Sequence, residues 1–76
     1  MMKIGELSRA TATKVTTIRF YEQIGLLASP VRTASGRRTY GVSDVDRLNF
    51  VRNGRRLGFT IEEIRSLLAL ADQPER

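Results

Sequence analysis

Apolar residues recur at three- and four-residue intervals in four separate stretches, and polar or turn-forming residues separate them, a pattern that predicts four short helices. Ile4, Leu7 and Ala10 share one side of the first, from about Gly5 onward, and the stretch Thr11 to Thr13 then predicts a tight turn. The second helix is expected from about Lys14 to Ile24, with Val15, Ile18, Tyr21 or Glu22, and Ile24 near one face and Gly25 as its stop. Two helices joined by so short a turn form a helix-turn-helix candidate. Its second helix would present Thr16, Thr17, Arg19 and Phe20 outward. These are hydroxyls, a guanidinium and an aromatic ring, groups suited to base edges, thymine methyls and phosphate.

The next stretch changes character. Pro30 and Gly36 break any helix between residues 28 and 41, and the residues there suit two short strands around an Ala34-Ser35-Gly36 turn. Arg32, Arg37, Arg38 and Tyr40 would make such a hairpin a basic wing. In the third helix Ser43 is the expected cap, with Asp44 and Asp46 favouring the positive end of the helix dipole. Val45, Leu48 and Val51 form its inward stripe, and Arg47, Arg52, Arg55 and Arg56 its outward side and end, before Leu57 and Gly58. Cations in a last helical turn complement the dipole, so part of that cluster has a structural use. Thr60 and Glu63 make a capping box for the fourth helix, whose stripe is Ile61, Ile64, Leu67, Leu68 and Ala71. Ile61, Ile64 and Leu67 are the expected core contacts, and Pro74 the limit.

The expected fold is therefore mainly α: a winged helix-turn-helix of four helices with a short two-stranded β-hairpin wing. With 76 residues the chain can form one small core, and no repeat or low-complexity tract divides it. A content of 41% hydrophobic and 28% charged residues is that of a globular sequence. No apolar run approaches the roughly 18 residues of a membrane helix, and no secretory h-region opens the chain, so a cytoplasmic location without membrane contact is expected.

Charge narrows the function. Thirteen basic residues stand against eight acidic, a net +5, and eleven of the thirteen are Arg. From Lys14 to Arg56 the excess rises to +6, while the flanks together are close to neutral. A polarised basic surface rich in the planar guanidinium fork points to nucleic acid. The sequence has no Cys and no His, which excludes disulfides, thiol catalysis, Ser-His relays and the usual zinc and haem ligands within this segment. Asp44 and Asp46 read as helix-start charges rather than as a catalytic pair, and no cofactor loop is visible. Neither an enzyme nor a cofactor is expected.

The motifs and their spacing resemble a known family. Ile4-Gly5-Glu6-Leu7, then Thr17 to Glu22 with Gly25-Leu26-Leu27, then Arg32 and Gly36 to Tyr40, and finally Leu57 to Thr60 with Glu63-Ile64, look like the N-terminal DNA-binding domain of the MerR family of transcription regulators. The resemblance spans about residues 2 to 70. It implies a domain over residues 2–71, with 72–76 a tail or the start of a linker, whose second helix enters the major groove while the wing holds the flanking backbone. On the matching positions Arg19, Phe20 and Tyr21 look like recognition-helix contacts, with Thr16 and Thr17 beside them, and Arg32, Arg37, Arg38 and Tyr40 like wing contacts. Ala12 stands where the family often has Gly, Lys14 where a capping residue is usual, and Arg37 where the wing often has an aromatic.

The family pattern further implies operator DNA inside a promoter as partner, distortion of that DNA as the mode of action, and RNA polymerase engaged indirectly through the DNA. Dimerisation would belong to a longer chain carrying a dimerisation helix, which the residues after Ala71 do not hold. Two alternatives remain at this point: an excisionase-type or architectural DNA-bending factor, and a protein-interaction module that uses the last helix.

Overall fold

The computed structural model describes residues 2–27, 31–32 and 38–73, without the side chains of Val31, Arg32 and Arg38. It is mainly helical. The elements run α1 (Ile4–Thr11), α2 (Val15–Gln23), β1 (Val31–Arg32), β2 (Arg38–Thr39), α3 (Val42–Arg56) and α4 (Ile61–Ala71).

The turn between α1 and α2 is made by Ala12, which adopts the left-handed conformation at φ 51°. Its N–H and that of Thr13 bond back to the Ser8 carbonyl and close the end of α1. Thr11 is buried, and its hydroxyl donates to the Leu7 carbonyl at 2.8 Å, so its polar atom is satisfied inside the core. At the far end of α2, Gly25 takes φ 79° and the Leu26 N–H returns to the Tyr21 carbonyl at 2.9 Å. This six-to-one closure redirects the chain and needs a residue without a Cβ at the left-handed position.

β1 and β2 pair antiparallel, Val31 opposite Thr39 and Arg32 opposite Arg38. The expected turn at Ala34-Ser35-Gly36 lies outside the described residues. Met2 forms a further antiparallel bridge with Tyr40, through bonds of 2.8 and 2.9 Å. The α3 helix begins earlier than the sequence suggested. Gly41, not Ser43, is its N-cap, and Asp44 in the first turn accepts the Gly41 N–H at 2.9 Å. The α4 start is the expected box: Thr60 accepts from the Glu63 N–H at 3.1 Å and Glu63 accepts from the Thr60 N–H at 2.9 Å.

Two apolar clusters hold these elements. Leu7, Ile18, Leu27, Tyr40 and Leu48 join α1, α2, β2 and the first half of α3. Leu26, Val51, Ile64 and Leu68 join the end of α2 to the second half of α3 and to α4. Tyr21 packs against both. Each fully buried aliphatic side chain contributes roughly 1.5–3 kcal/mol by leaving water, so the eight buried aliphatic residues and Tyr40 among the described residues form a small but continuous core. Gly54 lets the last pair of helices meet: a Cβ there would stand 3.0 Å from Cδ1 of Ile64. Of the α4 stripe, Ile64 and Leu68 are buried, whereas Leu67, expected inside, is 42% exposed. Leu67, Phe50, Leu57 and Phe59 instead border an apolar concavity of about 190 Å³ between α3 and α4.

Candidate nucleic-acid interface

Ile18 faces the core with no exposed surface, and this anchors the rotation of α2. With Ile18 turned in, Thr16 and Arg19 are exposed, Phe20 is half exposed, and Thr17 and Tyr21 are half-buried at the flanks. The Phe20 and Tyr21 rings lie 6.1 Å apart and tilted by 49°, one toward solvent and the other toward the cores. The outward set expected from the sequence is thus brought together on one helix, with Tyr21 serving both packing and surface.

The start of α2 is electrically open. Lys14 is its N-cap and makes no side-chain cap bond, and the first turn contains no acidic residue. The first N–H groups of such a helix have no intrahelical partner and carry the positive end of the dipole. Beside them lies a concavity of about 450 Å³ bordered by Ala12, Thr13, Lys14, Thr17 and Tyr21 from the first two helices, and by Leu48, Arg52, Arg55 and Arg56 from α3. Four cations and a bare helix N-terminus therefore face one hollow, the arrangement that favours a phosphate group. Arg55 is partly committed, since Nη1 donates to the Phe59 carbonyl at 2.9 Å and closes the end of α3. None of these four cations was among the expected contacts. The signal available for them was the basic excess between Lys14 and Arg56; their convergence comes from packing of α3 against the first two helices.

Two expectations need correction. Tyr40, expected as a wing contact, is 2% exposed, and its hydroxyl donates to Oε2 of Glu22 at 2.9 Å. Its ring packs with Leu7, Ile18, Leu27 and Leu48, and its hydroxyl reaches α2, so it ties the end of the strand pair to that helix. Arg47, expected on the outward side of α3, turns inward: Nε donates to the Leu26 carbonyl at 2.7 Å, and its two terminal nitrogens grip Asp72 at 2.9 and 2.8 Å. Bonding to Asp72 raises the Arg47 pKa and lowers that of Asp72. Arg32 and Arg38 are opposed across the strand pair by backbone register, but their side chains, and the whole of Arg37, lie outside the described residues.

Among the described residues no group of three or more His, Cys, Asp or Glu side chains could hold a metal ion, and no helix is long and apolar enough to cross a membrane.

Comparison with known proteins places this geometry in a wider set. The family model described as MerR HTH family regulatory protein matches residues 2–71. The chain is 54% identical over 69 residues to an HTH-type transcriptional regulator, HmrR, of Sinorhizobium medicae, covering 91% of this chain and 47% of that protein. It is 52% identical over 69 residues to a heavy metal-dependent transcription regulator of Rhizobium meliloti, with the same coverages of 91% and 47%. Among solved structures, a transcription regulator from Ralstonia metallidurans in complex with lead(II) superposes with a TM-score of 0.91 at 45% identity, over 100% of this chain and 59% of that one. The chain thus spans about half the length of the curated relatives it matches.

Proposed function

As the chain belongs to the MerR family of helix-turn-helix regulatory proteins, we propose that it is a DNA-binding module of a transcription regulator, which grips operator DNA within a promoter and carries no catalytic chemistry. The observation that carries this reading is the hollow beside the uncapped start of α2, bordered by Lys14, Arg52, Arg55 and Arg56. A DNA phosphate seated there fixes the entry of α2 into the major groove. Thr16, Thr17, Arg19 and Phe20 then meet base edges and thymine methyls, with Tyr21 at the rim. Arg32 and Arg38 of the β1–β2 pair, together with Arg37, serve as the contacts to the neighbouring backbone, while Tyr40 fixes that pair to α2 through Glu22. Residues 2–71 make up the module.

Sequence preference arises partly from the cost of deforming the duplex between contacted segments. In a dimeric regulator two such modules would address a near-palindromic operator, and the distortion would reach RNA polymerase through the DNA.

The test begins by selecting duplexes from a randomised pool with the chain. Arg19→Ala should then weaken binding to the enriched duplex by roughly 1–3 kcal/mol and shift the melting temperature little, because Arg19 is exposed. Unchanged affinity would remove Arg19 from the interface, and enrichment of no duplex would refute the DNA reading.

A further inference from the structure

The last carbonyls of any α-helix lack intrahelical partners and carry its negative dipole end. A basic residue in the last turn usually meets them, but α2 has none. Backbone N–H groups of residues 24–27 close back onto Phe20, Tyr21 and Glu22, and the carbonyls just beyond, of the C-cap Ile24 and of Leu26, receive cations from two other helices. Arg47 of α3 donates to the Leu26 carbonyl at 2.7 Å, and Arg65 of α4 donates through Nη2 to the Ile24 carbonyl at 2.6 Å. Arg65 keeps its Nε buried without a partner, an arrangement that costs free energy and that a shorter apolar side chain would avoid. Arg47 is itself oriented by the bidentate grip of Asp72, the C-cap of α4, twenty-five residues away in sequence. A bidentate pair fixes a plane as well as a distance. The end of α4 is therefore joined, through one guanidinium, to the segment that sets where α2 stops.

We propose that Arg47, Arg65 and Asp72 are positioning residues, a strap that makes the pitch of α2 on DNA depend on the placement of the end of α4. The proposal rests on the DNA-binding reading above. None of the three touches DNA in it; they act through the carbonyls of Ile24 and Leu26. A displacement of the α4 terminus pulls on Arg47, and Arg47 pulls on the exit of the recognition helix. This is a route by which a structural change beyond α4 would alter sequence discrimination without altering the contact surface.

The experiment uses the full chain with Asp72→Ala and the conservative Asp72→Glu, and two probes: the duplex enriched by the wild type and a scrambled duplex of equal length. Affinity of Asp72→Ala for the enriched duplex should fall by up to about 5-fold, the upper end for one exposed ion pair, with affinity for the scrambled duplex unchanged and Asp72→Glu restoring most of the loss. In the same variant, hydrogen exchange should quicken at the Leu26 and Leu27 amides and not in α1. Parallel losses on both duplexes, uniform quickening of exchange, or no change in either readout would overturn the strap. If the wild type enriches no duplex, the DNA reading falls and the strap's role with it, an outcome distinct from a wild type that discriminates and a variant that discriminates equally well.

Discussion

The two ends of α2 are finished in opposite ways. Its start has no capping side chain and no acid, and it opens onto a hollow bordered by Lys14, Arg52, Arg55 and Arg56. Its end is closed by Gly25, buried through Leu26 and Leu27, and bonded by Arg47 and Arg65 from the two later helices. Guanidinium groups serve both ends, but at the closed end they answer backbone carbonyls of the same chain, and at the open end they leave positive charge for something else. A helix held at one end and unneutralised at the other is suited to being inserted.

The largest effect should come from breaking the held end. Leu26 is fully buried in the second cluster, and Leu26→Ala should cost about 2–5 kcal/mol in chemical denaturation, comparable to the whole stability of a domain this small. Loss of less than about 1 kcal/mol would mean that the exit of α2 is not part of the cooperative core. A smaller change sharpens the open end. Ala12 sits at φ 51° just before it, a conformation that costs an L-residue roughly 1–2 kcal/mol, so Ala12→Gly should stabilise the chain by a fraction of that, the flexibility of unfolded Gly offsetting the rest. A fall in melting temperature would show that the turn is not strained.

The smallest effect is that of pH. The Arg47 bond lowers the pKa of Asp72, and the Thr60 N–H lowers that of Glu63, so each carboxylate is bound more strongly as the anion in the folded state. Their contributions are fully present above the ordinary carboxylate range and are lost as pH falls through the lowered folded values. The melting temperature should therefore decline below about pH 4, and Asp72→Ala should flatten part of that decline. An identical decline in the variant would mean that Asp72 contributes nothing.

Much of this was legible in the sequence wherever the signal is local. The stops at Gly25 and Gly58, the Thr60–Glu63 box and the inward Leu48 and Val51 follow from residues close in the chain. What escaped depends on contacts between distant segments. Leu67 and Leu68 are adjacent and differ by about 100° around α4, and the fit of Ile64 beside Gly54 selects Leu68 as the inward one. Tyr40 carries both a ring and a hydroxyl, so its type permits a core position or a surface one; packing with Leu7, Ile18 and Leu48 and the bond to Glu22 on α2 decide for the core. Arg47 reads like its exposed neighbours because its partners, Leu26 and Asp72, lie 21 and 25 residues away. The exposed set on α2 was read from periodicity, whereas the cations of the hollow converge only once α3 has packed.

The most direct measurement of the central claim, that the open start of α2 and the end of α3 form a phosphate-binding surface, is the salt dependence of binding to the enriched duplex. For the wild type the logarithm of affinity should fall linearly with the logarithm of salt concentration, and the triple variant Lys14→Ala, Arg52→Ala, Arg56→Ala should have a slope shallower by about 0.9 for each phosphate contact removed. A triple variant with the wild-type slope would contradict the account.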